Sequence, residues 1–110
     1  MVHFAVGDVV LLPFPYSDQK KTSVRPAFVV QASSHGDALV GMITTHGYGD
    51  PLCVAFSEQE LRHCHIERPC VVRYSKLITI EPDLFIKKIG SASPEFTRRI
   101  HNAIIEWIRD

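Results

Sequence analysis

Over the first four-fifths of the chain, apolar residues fall in short runs rather than at helical spacing. Val9-Val10-Leu11-Leu12-Pro13-Phe14, Ala27 to Ala32, Ala38 to Thr44, Leu52 to Phe56, Cys70 to Tyr74 and Leu77 to Ile80 each read as a strand. The second and third runs are almost continuously apolar, which predicts cover on both faces. Pro13 and Pro15 predict that the far end of the first strand lies at a sheet edge, where a lost donor matters least. Gly7-Asp8 and Ser33-Ser34-His35-Gly36-Asp37 are turn signals. The polar, lysine-bearing stretch Tyr16 to Val24 reads as an exposed loop, as does Thr45 to Pro51. Short strands at this spacing predict a small barrel or a curled antiparallel sheet.

The pattern changes near the end. Ser93 is placed to cap a helix, Pro94 fits its first position, and Glu95 favours its positive end. Phe96, Ile100, Ala103, Ile104, Trp107 and Ile108 then recur on one helical face, opposite Arg98, Arg99, Asn102, Glu106 and Arg109. This predicts an amphipathic helix whose stripe is core. Glu81 to Lys88 predicts a further short helical turn. The fold class expected is mainly β with a C-terminal α-helix.

The chain has 110 residues, with 12 Lys and Arg balancing 12 Asp and Glu. That length suits one domain, residues 1–110, with a single core. Zero net charge excludes a whole-protein basic field, so any nucleic-acid contact must come from a local patch. No apolar run approaches the roughly 20 residues of a membrane span. The first residues, Met1-Val2-His3-Phe4-Ala5-Val6, do not resemble a signal peptide, and a cytoplasmic protein is expected. Three cysteines argue against a disulfide framework. His63-Cys64-His65, Cys70 and Cys53 are zinc-type ligands, but no Cys-x-x-Cys pair accompanies them, and neither a metal nor another cofactor is expected.

Arg25 carries the clearest chemistry. It ends the polar stretch, and Pro26 begins the apolar run that follows, so a rigid strand holds a guanidinium at the mouth of a loop. A guanidinium so placed suits a phosphate or carboxylate bidentately; the plain alternative is a solvated surface arginine. His46, at the start of a glycine-containing loop, titrates near neutral pH and is a candidate base or acid, against the plain reading of a solvated histidine. Lys20 and Lys21 are placed to contact backbone phosphates, and Tyr16 and Tyr48 to stack on unpaired bases. Solvation of the lysines and local packing of the tyrosines are the alternatives.

Four segments, in order, resemble the PemK/MazF-like toxins of type II toxin–antitoxin systems. They are Gly7-Asp8-Val9-Val10; Val24-Arg25-Pro26-Ala27-Phe28-Val29-Val30; Val40-Gly41-Met42-Ile43-Thr44-Thr45; and Pro69-Cys70-Val71-Val72-Arg73-Tyr74 running through Lys76, Thr79-Ile80 and Leu84 to Lys88-Ile89-Gly90. The final helix also matches, so the resemblance spans nearly the whole chain. It implies an SH3-like barrel of the PemK/CcdB type, a homodimer, and metal-independent endoribonuclease cleavage of single-stranded mRNA, an mRNA interferase activity. It implies Arg25 and Thr44 as the catalytic pair, with Thr45 as the alternative if the register is shifted by one. Arg73 falls where some members keep a catalytic or substrate-binding arginine. Ser75 falls in the substrate-binding stretch, where some members have an acidic residue. The span before Arg25, Ser17 to Ser23, lacks the glycines many members carry there. Implied partners are a cognate antitoxin and, as a toxin–antitoxin complex, operator DNA.

In such a reaction the RNA 2′-hydroxyl attacks the adjacent phosphate. It needs a base for that proton, an acid for the leaving 5′-oxygen, and charge stabilisation at the phosphorane. Arg25 suits the last role and is a poor base, because it stays protonated. Asp18 and His46 are the candidates for the missing base. Two other readings stand beside this one: a non-catalytic SH3-like module binding nucleic acid or peptide, and a gyrase-poisoning toxin of the same fold.

Overall fold

The computed structural model describes residues 4–15, 22–33, 36–45, 49–56, 58–62 and 69–110. Among these residues, seven strands form one antiparallel sheet: β1 (Asp8–Pro15), β2 (Thr22–Ala32), β3 (Ala38–Thr44), β4 (Cys53–Phe56), β5 (Leu61–Arg62), β6 (Cys70–Ile80) and β7 (Lys87–Ala92). Their order across the sheet is β4-β6-β3-β2-β1-β7-β5. A helix, α1 (Pro94–Arg109), follows. The mainly-β class with a C-terminal helix is thus as expected. The sheet is open, however: short β4 and β5 form its two edges, and no pairing joins them among the described residues. No helix among the described residues is long and apolar enough to cross a membrane.

Strand alternation sends neighbouring residues to opposite faces of the sheet. Val9, Phe28, Val30, Ile43, Cys70 and Val72 form one apolar cluster with Phe96, Ile100 and Ile104 of α1. Val10, Leu12, Ala27, Val29, Ala38 and Val40 form a second with Phe85. β2 and β3 are therefore covered on both faces, as their continuous apolar runs predict. Phe28 and Phe96 meet edge to face at 5.8 Å, both almost fully buried. Each such side chain contributes about 1.5–3 kcal/mol by leaving water. His101 donates from Nε2 to the Val30 carbonyl at 2.8 Å, a polar tie between α1 and β2.

The starts of the first and last elements are set by local chemistry. Ser93 caps α1 by accepting a hydrogen bond from the Phe96 N–H, and Pro94 opens the helix. The turn before β1 has Gly7 at φ 93°, and a Cβ there would lie 2.8 Å from Thr97 Oγ1. Only glycine meets both demands. Asp8 is buried, accepts from the Ala5 N–H at 2.6 Å and pairs with Lys88 Nζ at 3.3 Å.

Several elements differ from the expectation. β2 begins at Thr22, so Arg25 lies within a strand, opposite Leu12, and not at its mouth. Pro26 is tolerated there because the pairing with β3 runs only from Ala27, leaving the proline outside that ladder. Pro13 and Pro15 behave as expected, since the pairing of β1 with β7 stops at Leu11 and the prolines face β2 alone. Residues 70–74 and 77–80 belong to one strand, β6, and not two. Between Gly41 and Met42 of β3, its register jumps from Leu77 to Arg73. Tyr74, Ser75 and Lys76 thus form a bulge. The helical turn expected over Glu81 to Lys88 is shorter, Pro82–Leu84, and Lys87 onward joins β7. Trp107 and Ile108 are exposed and lie outside the cluster, although Trp107 meets Tyr74 of β6 at 6.0 Å.

Candidate active site

Register brings three of the expected residues onto one face of the sheet. Ala27 pairs with Met42, so two residues farther along these antiparallel strands Arg25 and Thr44 stand at the same level. Met42 in turn pairs with Arg73 of β6. Directly opposed residues point to the same face, as do residues two apart on a strand. Arg25, Thr44 and Arg73 therefore share a face across three adjacent strands, with Arg73 two residues along from the level of Arg25 and Thr44 and its backbone about 12 Å from that of Arg25. Arg25 is exposed, Thr44 and Arg73 are half-buried, and Thr45 is exposed just beyond the strand end. Buried Leu12, Ala27 and Val29 lie on the same face beside Arg25 and fix its strand in register.

The structure adds a residue of the loop expected over Thr45 to Pro51. Asp50 Oδ2 accepts from Arg73 Nε at 3.3 Å and from its terminal Nη2 at 3.2 Å. The same oxygen accepts the Ser75 hydroxyl hydrogen at 2.5 Å. The other carboxylate oxygen accepts the Leu52 N–H at 2.8 Å. Cys53 Sγ donates to the Asp50 carbonyl at 3.1 Å, so the backbone of this residue is tied down as well. Asp50 lies near the β4 end of the β3–β4 connection, residues 45–52. It thus fastens that connection to β6.

Arg73 and Ser75, two apart on β6, share a side of the strand, so both reach the same Asp50 oxygen. The Tyr74 N–H is satisfied by the Leu52 carbonyl at 3.0 Å. The Ser75 hydroxyl, with the Leu52 N–H next, holds the Asp50 carboxyl below its usual range; partial burial opposes this, and Arg73 adds to the lowering. The carboxylate is accordingly ionised and engaged by four donors, which makes it a weak base.

No signal in the local sequence marks Asp50. Its neighbours Gly49 and Pro51 read as a turn. The one available clue is Arg73, a cation in an apolar strand, which needs a counter-ion from outside that strand. Tyr16, Lys20, Lys21, His46 and Tyr48 lie outside the described residues, as do Asp18, His63, Cys64 and His65. Cys53 and Cys70 form no disulfide.

The profile of the PemK-like, MazF-like toxins of type II toxin–antitoxin systems matches residues 5–108 of this chain. The protein belongs to that family. The match takes in every described strand and nearly all of α1, so the PemK-like assignment covers the scaffold and the Arg25–Thr44–Arg73 face together. A type II toxin of this family implies an antitoxin partner. No curated protein shows significant similarity to the chain.

Proposed function

We propose that this PemK-like toxin is a metal-independent, sequence-specific endoribonuclease that cuts single-stranded mRNA and is neutralised by its antitoxin. The observation that carries the reading is the alignment of Arg25, Thr44 and Arg73 on one face of β2, β3 and β6. Two guanidinium groups and a hydroxyl on a rigid sheet suit a phosphodiester that gains charge on its way to the phosphorane.

In the proposed reaction the RNA 2′-oxygen forms a bond to phosphorus as its proton passes to a base. The bond from phosphorus to the 5′-oxygen then breaks, and the leaving oxygen takes up a proton. The products are a 2′,3′-cyclic phosphate and a 5′-hydroxyl, with atoms and charge balanced and no water consumed. Arg25 stabilises the phosphorane through paired N–H donors. Thr44 donates its hydroxyl to a phosphate oxygen, with Thr45 the neighbouring alternative. Arg73 binds the substrate backbone and holds it more tightly as charge builds on the phosphate. His46 is the proposed base, since its neutral imidazole accepts a proton near working pH. Lys20, Lys21 and Tyr16 add phosphate and stacking contacts.

The partners proposed are a second copy of the chain, an acidic and apolar antitoxin segment that folds on binding, and operator DNA in the toxin–antitoxin complex. Exposed Val24, Leu84 and Ile86 supply apolar area of the kind such contacts cover. A cytoplasmic location fits these partners.

One observation favours a second reading, a non-catalytic binding module. Among the described residues this face carries guanidinium groups, hydroxyls and a saturated carboxylate, while His101 sits on the opposite side under α1. Incubation of purified protein with a long single-stranded RNA in EDTA, read by primer extension beside Arg25→Ala, separates the two. Discrete cuts lost in the variant support the nuclease. Intact RNA from a folded protein supports the module.

A further inference from the structure

We infer that Asp50 is a positioning residue for Arg73: it orients the Arg73 guanidinium on the Arg25–Thr44 face and, through Ser75, locks the β6 bulge to the end of the β3–β4 connection. As a statement about catalysis this rests on the nuclease reading; as a statement about Arg73 it does not.

The geometry supports the role in three ways. The pair is largely covered, with the Arg73 and Asp50 side chains 18% and 14% exposed, so the contact is neither a fully solvated surface pair nor an isolated buried charge. The contact uses Nε and one terminal nitrogen, which fixes the plane of the guanidinium as well as its position. The carboxylate is itself held at Leu52 and Ser75 and its backbone at Cys53, so it is a fixed anchor with little rotamer freedom left. Ser75 lies in the irregular stretch of β6, on the same side as Arg73, and what its hydroxyl meets is the anchor of the arginine two residues before it.

Two consequences distinguish this from a merely structural ion pair. First, Asp50 and Arg73 act as one unit, so their substitutions are not additive. Second, loosening Arg73 changes the transition-state contact more than the global fold. Asp50→Asn retains the shape and the acceptor oxygen but removes the charge.

The test uses the full chain in four forms: wild type, Asp50→Asn, Arg73→Lys and the double variant. The first readout is the Arg73 Nε–H proton in ¹⁵N-resolved spectra, identified by its loss in Arg73→Lys. The expected result is a slowly exchanging Arg73 resonance in the wild type that is lost or exchanges fast in Asp50→Asn. Persistence of that resonance in Asp50→Asn would overturn the inference. The second readout is cleavage: kcat should fall at least 10-fold in Asp50→Asn with KM changed less than 3-fold, and the double variant should be no worse than Arg73→Lys alone. Additive losses, or an Asp50→Asn enzyme as fast as the wild type beside a crippled Arg73→Lys, would also overturn it. A wild type that cuts no RNA sinks the nuclease reading instead, and the spectrum then decides the role of Asp50 alone.

Discussion

The Ser75 hydroxyl donates to Asp50 Oδ2 at 2.5 Å, joining two residues 25 positions apart through a bulge that β6 opens opposite Gly41 and Met42. That contact puts a carboxylate beside a strand position that holds no acid of its own. It also ties Arg73 of β6 to the segment that leaves Thr44. The expectations below follow from this arrangement and from the packing beneath it.

Arg25→Ala should abolish cleavage and leave the fold intact. The side chain is exposed, so truncation should change stability by no more than about 0.5 kcal/mol. Loss of one preorganised donor at a developing oxyanion costs roughly 10²–10³ in rate. Primer extension and a thermal melt on the same preparation check both halves; a variant that cuts normally would remove Arg25 from the mechanism.

His46→Ala should slow cleavage less than Arg25→Ala. If the imidazole is the base, wild-type activity falls on the acid side, because the protonated ring accepts nothing. The variant should lose that acid limb. A loss as large as that of Arg25→Ala would make His46 indispensable to proton transfer.

Asp50 should make the fold sensitive to acid. Its carboxyl is held below the ordinary value of 3.8, first by Ser75, so it stabilises the native state above that value. The contribution is lost as pH falls through the depressed native value, since the unfolded state takes up the proton first. Melting temperature against pH should therefore drop less steeply below that ordinary value in Asp50→Asn than in the wild type. Parallel curves would show that other carboxylates govern acid unfolding.

Phe96→Ala should cost about 3–5 kcal/mol, because the ring is fully buried against Phe28. Urea unfolding at fixed m-value measures it. A loss under 1 kcal/mol would mean that α1 contributes little to the cluster it covers.

Gly7→Ala should destabilise by about 1–3 kcal/mol through positive φ alone, with the approach to Thr97 Oγ1 adding to it. The same unfolding assay reads the sum, and a neutral variant would show that the turn rearranges freely.

Much of this molecule is legible in its residue order. The runs at 27–32 and 38–44 announce covered central strands, and Ser93-Pro94-Glu95 announces α1 because capping chemistry is local. β7 was missed since Lys87-Lys88-Ile89-Gly90-Ser91-Ala92 has no alternation; it is a strand because β1 offers it a partner. The break read between residues 74 and 77 is a bulge, since polar Ser75 and Lys76 interrupt an apolar run in either case. The Arg25–Thr44–Arg73 group emerged from family resemblance, and register accounts for it. Asp50 escaped because its role depends on Arg73 and Ser75, which only the folded chain brings near.

The pairing of Asp8 with Ser91 joins the first strand to the last. Synthesis makes β1 early, yet its outer edge and the underside of Phe28 stay uncovered until β7 and α1 exist. A chain cut short before Lys87 would present open backbone and bare apolar surface in place of a finished sheet, and quality-control proteases would meet it as debris. The order in which this chain is made thus keeps an incomplete copy from assembling its Arg25–Thr44 face on a stable support.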